Sequence, residues 1–166
     1  ADIVLTVNDI LASRLMRRTH KAIHVVPNYP SREFLVNREP NEVRASYDFS
    51  GSGLIVFIGN LTDTYDFDLL LASAKKLHGL EFWIVGSGKR EAQLKAKSPS
   101  NVKFLGKVPH ERVPDFIGAA DVCVAPLRAY QRDIVHNDQD VWKITEYAAL
   151  GKPIVATNLT PSGQYK

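Results

Sequence analysis

Residues 137–158 read NDQDVWKITEYAALGKPIVATN and combine acids, a helical pattern, a glycine and a β-branched run. Asn137 and Asp138 are favourable N-cap residues, and the positions after them predict a helix that ends at Gly151. Its apolar positions, which recur at roughly helical spacing, are Val141, Ile144, Ala148 and Leu150. Residues 154–157, IVAT, have the composition of a fully buried parallel strand. The stretch therefore predicts a helix, a tight turn and a strand.

The same alternation begins upstream, at residue 54. Strands are predicted at 54–58, 81–85, 102–105 and 122–125, with helices at 68–77, 89–97 and 113–119. Single helices between strands require parallel crossovers, so the pattern predicts an α/β fold with a doubly wound parallel sheet. Ligands of such sheets bind at the carboxyl ends of the strands. Those ends are Gly59, Gly86, Gly106, Pro126 and the turn after Thr157.

The composition is that of an ordinary globular protein, with 166 residues of which 45% are hydrophobic and 23% charged. The net charge of +3 and the scattered Lys and Arg favour small anionic ligands over nucleic acid. Cys123 lies in an apolar run and is predicted to be a core thiol, without a disulfide or a metal cluster. No apolar stretch approaches the roughly 20 residues of a membrane span. With no signal peptide visible, we expect a cytoplasmic protein.

The residues before position 54 form a shorter unit. Residues 3–7 and 23–26 predict two strands, and Asn8 or Asp9 can cap a helix between them. Residues 31–53 are polar, without a clean period, and are typical of a linker. The start at an alanine and the end soon after a strand lead us to expect a piece of a longer chain.

The acids of residues 137–158 have two interpretations. A carboxylate accepts hydrogen bonds only, so Glu146 can hold two neighbouring hydroxyls of a ribose or hexose. Glu146 also lies three residues after Lys143, where it can be a solvated partner on the helix surface. Asp138 can be a helix cap and no more. The residue types alone leave both interpretations open.

The run from Lys143 to Thr157, KITEYAALGKPIVAT, resembles the donor-site helix and following strand of GT-B-type retaining glycosyltransferases, the glycosyltransferase group 1 family. In that family the helix carries the second glutamate of a Glu-x7-Glu motif. Glu146 matches the second glutamate and Asp138 stands at the first, so this chain reads Asp-x7-Glu. The resemblance implies that Glu146 binds the donor ribose and Asp138 the donor sugar.

The family also commonly carries Gly-Arg after the first strand of this domain and a lysine a few residues on, a pair that neutralises the donor diphosphate. This chain has Asn60 after Gly59, and Tyr65 at the lysine position. Phosphate requires positive charge but not one fixed residue. Three cations can supply that charge instead: Lys89, Arg90 and Lys143.

Two further loops follow strands at the predicted binding edge. Gly86-Ser87-Gly88 can let backbone amides approach a phosphate, but position 91 is Glu91 where the dinucleotide fingerprint has its third glycine. A structural turn is therefore favoured over a dinucleotide motif, while in the resembled family this place serves the diphosphate or the turn itself. Val108-Pro109-His110 resembles the segment that lines the nucleobase pocket. An ordinary loop with a solvated histidine stays open.

The resemblance implies an organisation and a function. Residues 1–30 would be the closing elements of an N-terminal domain, 31–53 a linker, and 54–166 a Rossmann-like donor-binding domain without its last elements. The protein would transfer a sugar from a UDP-sugar or GDP-sugar to a saccharide, lipid-linked saccharide or other acceptor, with retention and without cofactor or metal. This chain alone would bind donor weakly and not turn over. The full-length protein can rest on the cytoplasmic face of a membrane.

The predicted catalytic residues are thus Asp138 and Glu146, and the donor-binding residues are Gly59, Asn60, Gly86, Val108, Lys143 and Glu146. A second hypothesis stays open, that of a noncatalytic nucleotide- or protein-binding α/β module in which Asn60 and Tyr65 mark the loss of diphosphate binding. A dehydrogenase-type dinucleotide domain is disfavoured, because the glycine fingerprint is incomplete after every strand.

Overall fold

The computed structural model describes residues 2–36, 40–128 and 142–157. Its strands are β1 (Ile3–Thr6), β2 (Ala22–Val25), β3 (Leu54–Ile58), β4 (Glu81–Val85), β5 (Val102–Gly106), β6 (Val122–Ala125) and β7 (Ile154–Ala156). Its helices are α1 (Asp9–Met16), α2 (Pro40–Ser46), α3 (Phe67–Lys76), α4 (Glu91–Lys97), α5 (Val113–Ala119) and α6 (Trp142–Ala149). Short 3-10 turns lie at Arg32–Leu35 and His110–Arg112.

The main sheet has the strand order β5-β4-β3-β6-β7, and every neighbouring pair is parallel. β3 lies at its centre, with Leu54 opposite Glu81 of β4 and Ile55 opposite Val122 of β6. The chain therefore runs outward on one side of β3 and then returns to build the other side. The predicted α/β fold with a doubly wound parallel sheet is confirmed.

Both faces of the main sheet are covered by helices. Val56 and Trp83 belong to one buried cluster, to which α2, α5 and α6 contribute. Phe57 and Ile84, their neighbours along the strands, belong to a second cluster with α3 and α4. Because successive side chains of a strand point to opposite faces, this alternation places helices on both sides of the sheet.

Two details of the last helix and strand differ from the prediction. The inward residues of α6 are Lys143 and Tyr147, whereas Ala148 is exposed. Their long side chains carry apolar stems with polar tips, which a count of apolar positions misses. Val155 is 63% exposed, because in the described residues β7 is an edge strand that pairs with β6 alone. The prediction of a fully buried strand there was wrong.

The stretch predicted as a linker contains ordered structure. Helix α2 packs against α5, and its Val43 joins the same buried cluster as Phe116. The Nε of Arg44 donates a hydrogen bond to the carbonyl oxygen of Ala119 (2.8 Å), and its Nη2 lies 2.8 Å from Asp121. So short a helix with one buried residue leaves little periodicity in the sequence. The division into domains stays a prediction.

The N-terminal unit has the predicted order of strand, helix and strand. β1 and β2 pair in parallel as a separate two-stranded sheet. Asn8 is the N-cap of α1, since its side-chain oxygen accepts a hydrogen bond from the backbone N–H of Leu11 (2.9 Å).

Within the three described segments, no helix has both the length and the apolar character that crossing a membrane requires. In the same segments, no three His, Cys, Asp or Glu side chains are grouped so as to hold a metal ion. The cytoplasmic location and the peripheral contact with a membrane stay predictions.

Candidate functional site

The ends of β3 and β4 meet at the carboxyl edge of the sheet. Gly86 has a φ of +136°, and a Cβ built on it would lie 2.0 Å from the carbonyl oxygen of Gly59. A Cβ on Gly88 would lie 2.5 Å from the carbonyl oxygen of Leu61. Both glycines are therefore required for the close packing of two loops. This supports the structural interpretation of Gly86-Ser87-Gly88, and contact of Gly86 with a diphosphate stays a prediction.

The side chain of Lys143 reaches from α6 to this edge. A Cβ built on Gly59 would lie 2.6 Å from the Nζ of Lys143, so the amine rests directly on the glycine. The Nζ also lies 4.3 Å from the ring centroid of Phe57 and 3.8 Å from that of Tyr65. The end of β3, the loop after it and α6 thus converge on one amine.

The amine of Lys143 is buried. Lys143 is only 7% exposed, and its Nζ has no hydrogen-bond partner among the described residues. Burial disfavours the charged form and lowers the pKa of Lys143 to about 7, against the opposing influence of Glu146. A buried polar group without a hydrogen-bond partner costs free energy, and a ligand that accepts its hydrogen bonds removes that cost.

The other two cations that were candidates for phosphate binding are engaged elsewhere. Lys89 forms an ion pair with Asp63, and Arg90 lies 3.6 Å from the same carboxylate. Arg90 also lies 3.7 Å from Asp68. Of the three, Lys143 is the one whose positive charge is not offset by a contacting aspartate among the described residues.

Tyr147, one turn after Lys143, fixes the position of α6. It is fully buried, and its hydroxyl oxygen accepts a hydrogen bond from the backbone N–H of Ile58 at the end of β3 (3.1 Å). Residues four apart lie on one face of a helix, so this bond and the Lys143 amine point to the same strand end. The anchor therefore sets the distance between Lys143 and Gly59.

Glu146 is half-buried on the same helix, beside Lys143 and close to His110. Burial raises the pKa of Glu146, and the charges of His110 and Lys143 act in the opposite direction. His110 packs against Phe34 with ring centroids 5.5 Å apart. Val108, two residues earlier, is half-buried against the core cluster of α5 and α6. The loop after β5 therefore comes close to the helix that carries Glu146.

The structure brings together four of the predicted site residues, namely Gly59, Gly86, Lys143 and Glu146. Asn60 is an exposed neighbour of Gly59, and Asp138 lies outside the described residues. The sequence patterns did not indicate the rings of Phe57 and Tyr65 or the anchor at Tyr147. One signal was available for Tyr147, which follows Lys143 by four residues on a predicted helix.

The chain was also compared with known proteins. The family model for glycosyl transferases group 1 matches residues 52–164, more than half of the chain. The chain belongs to the glycosyl transferases group 1 family. The match includes β3 to β7 and therefore all the site residues described above. A search of curated proteins found no match to the chain.

Solved glycosyltransferase structures resemble this group 1 domain in fold. HepE from Anabaena in complex with UDP-glucose superposes with a TM-score of 0.74 at 16% identity, covering 96% of this chain and 46% of that one. Sucrose-phosphate synthase from Thermosynechococcus elongatus gives 0.69 at 20% identity, with coverage of 96% and 41%. A TarM variant from S. aureus in complex with UDP gives 0.67 at 14% identity, with coverage of 95% and 30%. The chain thus spans less than half the length of these structures.

Proposed function

We propose that this chain forms the donor-binding domain of a glycosyltransferase that transfers a sugar from a nucleoside-diphosphate sugar, in the first place a UDP-sugar. The observation that supports this most is the buried amine of Lys143 at the carboxyl edge of the sheet, to which no residue in the described segments offers a hydrogen-bond acceptor. That edge is where doubly wound sheets bind their ligands. The family membership supplies the reaction class.

Lys143 takes the role of the diphosphate cation in this proposal. An anion that enters beside Gly59 meets an amine that has no hydrogen-bond acceptor among the described residues, while Lys89 and Arg90 are neutralised by Asp63. A charge-assisted hydrogen bond to phosphate both satisfies the amine and stabilises its protonated form. Lys143 of α6 then supplies the positive charge that the family's arginine and lysine would supply at positions 60 and 65.

The rest of the donor lies along α6 and the loop after β5. Glu146 accepts hydrogen bonds from the two ribose hydroxyls, which requires its ionised form. The nucleobase lies beside Val108, and Asp138 contacts the transferred sugar, as the resemblance implies. In this arrangement Glu146 binds the ribose and Lys143 binds the diphosphate, and the two residues lie three positions apart on one helix.

The chemical contribution of the domain is stabilisation of the leaving group. As the bond between the sugar and the diphosphate breaks, negative charge develops on the departing phosphate oxygen. A buried ammonium placed there in advance stabilises that charge more than a solvated one. We infer transfer with retention at the anomeric carbon from the family resemblance, with the acceptor held largely outside this chain.

The choice of UDP over GDP has support from the related structures. HepE was solved in complex with UDP-glucose, and the TarM variant in complex with UDP. A saccharide or lipid-linked saccharide remains the expected acceptor.

Titration calorimetry with UDP, GDP and their hexose conjugates tests the proposal. We expect saturable binding of UDP and UDP-hexose, weakened about tenfold, or roughly 1.4 kcal/mol, by Glu146→Ala. Glu42→Ala removes an exposed glutamate of α2 and serves as the matched control. It should bind UDP as the wild type does.

Two results would contradict the proposal. Binding of UDP that Glu146→Ala leaves unchanged would remove the ribose contact and favour a noncatalytic binding module. Saturation by GDP alone would overturn the assignment of uridine while leaving the donor-binding domain intact.

A further inference from the structure

The amine of Lys143 is held between two aromatic rings. Its Nζ lies 3.8 Å from the centroid of Tyr65 and 4.3 Å from that of Phe57. The two rings meet edge to face, with centroids 5.0 Å apart and planes at 73°. An ammonium is attracted to the face of each ring, but neither face takes the place of a hydrogen-bond acceptor. The rings therefore hold the amine and leave its N–H groups for another partner.

The ring of Tyr65 is itself firmly placed. It packs edge to face on Phe67 at 6.0 Å, and its backbone forms an isolated antiparallel bridge with Leu127. The next residue, Asp66, donates its backbone N–H to the carbonyl oxygen of Pro126 (2.6 Å). The loops after β3 and β6 are thus joined at the point where Tyr65 covers Lys143.

Gly59 closes the third side of the amine. A Cβ at that position would lie 2.6 Å from the Nζ, so any other residue would displace the amine from this place. Rings lie on two sides of the amine and the Gly59 backbone on a third, at the carboxyl edge of the sheet, and the described residues offer it no hydrogen-bond acceptor. An anion bound at that edge is the ligand chemistry that completes it.

We propose that Tyr65 is a positioning residue, whose ring holds the amine of Lys143 over Gly59 and directs it at the diphosphate of the donor. The inference rests on the proposed function. It gives a role to the residue that stands where the resembled family has a lysine. In this chain the cation is Lys143 of α6, and the aromatic ring at position 65 orients it.

The ring also acts on the charge of Lys143. Burial favours the neutral amine, whereas an aromatic face and Glu146 favour the ammonium. The hydroxyl of Tyr65 carries no charge near neutral pH, because burial raises its pKa further. Weakening the ring should therefore make Lys143 lose its proton at lower pH. A ring that served only to fill space would not have this effect.

The experiment measures UDP affinity from about pH 6 to about pH 9 in the wild type and two variants. Tyr65→Phe keeps the ring face, and a trifluorinated phenylalanine at the same position keeps its shape while removing its attraction for cations. We expect Tyr65→Phe to match the wild type. In the fluorinated variant, UDP should bind several-fold more weakly, and the pH at which affinity begins to fall should drop by about half a unit.

Tyr65→Leu, which removes the ring, should shift the pH profile in the same direction, and circular dichroism checks that it is folded. A fluorinated variant with the wild-type affinity and pH profile would overturn the role of Tyr65 alone. An equal loss of affinity at every pH would also overturn it, because that indicates packing only. A wild-type chain that binds no UDP at any pH would instead overturn the proposed function.

Discussion

Lys143 and Glu146 lie three residues apart on α6, and burial acts on both in the direction of the neutral form. The pKa of Lys143 falls to about 7, and the pKa of Glu146 rises above its ordinary value. A nucleoside diphosphate requires the opposite, an ammonium for phosphate and a carboxylate for ribose hydroxyls. Both Lys143 and Glu146 are therefore charged only over a limited pH range, so donor binding should depend on pH.

Binding of UDP should depend on pH near neutrality. Below about pH 7 the amine of Lys143 is already protonated, and above it a proton must be taken up when the diphosphate binds. UDP affinity should therefore fall by up to tenfold per pH unit above about pH 7. At lower pH, protonation of Glu146 should also weaken binding, because the ribose contact requires the carboxylate.

Calorimetry at about pH 8 in buffers of different ionisation enthalpy measures the proton uptake directly. Lys143→Arg is the control, since a guanidinium stays charged and the titration of UDP itself is retained. Uptake approaching one proton in the wild type and none in Lys143→Arg is expected. Equal uptake in the two proteins would exclude Lys143 as the group that titrates.

At the scale of elements, α6 is useful only because it is held at a fixed distance from β3. The hydroxyl of Tyr147 makes that connection to the backbone of Ile58, inside a cluster that also contains Trp83 and Phe116. The loops after β3 and β4 are held as closely, by glycines at Gly86 and Gly88. The site is thus built from element ends that contact one another directly.

Tyr147→Phe should lower the free energy of unfolding by about 1 to 2 kcal/mol, because the buried N–H of Ile58 loses its acceptor. Urea unfolding measures this. Tyr29→Phe changes a side chain that is 72% exposed and should leave stability unchanged. A Tyr147→Phe protein as stable as the wild type would mean that water replaces the hydroxyl and that the anchor is weak.

Gly86→Ala should destabilise the protein by about 3 kcal/mol or more, since the added Cβ meets the carbonyl oxygen of Gly59 and φ is positive. Gly106→Ala is the matched control at the end of the neighbouring strand. It has a φ of +70° but no atom within 4 Å of the added Cβ, so only the backbone strain of about 1 to 2 kcal/mol applies. Thermal unfolding of the two variants should separate them clearly, and equal losses would refute the close contact of the two loops.

At the scale of the whole molecule, the fold was predictable from the apolar runs of its strands. β3, β4 and β6 lie at the residues where β-branched and aromatic runs predicted them, because strands buried on both faces are almost continuously apolar. The contribution of α2 was hidden, since a seven-residue helix held by Arg44 and one buried valine has no visible period. Sequence patterns of this kind describe long elements well and short polar ones poorly.

The candidate site was predictable to a smaller extent. Gly59 followed from a strand end and Glu146 from the resemblance, whereas Lys143 was one of three candidate cations. The structure places these three residues together. The rings of Phe57 and Tyr65 did not follow, because they reach Lys143 from residues about 80 positions away and no local pattern encodes such a contact. Sequence patterns also could not show that Lys89 and Arg90 contact Asp63, whereas Lys143 contacts no aspartate in the described segments.

The most direct test of the account is UDP binding by calorimetry, at about pH 6.5, to the wild type, Lys143→Met and Lys76→Met. Met keeps the length and the apolar stem of lysine, and Lys76 is an exposed lysine at the end of α3. We predict that Lys143→Met binds UDP about 10 to 100 times more weakly, as expected for the loss of one charged hydrogen bond. Lys76→Met should bind as the wild type does. Equal affinity of Lys143→Met and the wild type would contradict the account, because the buried amine would then play no part in holding the donor.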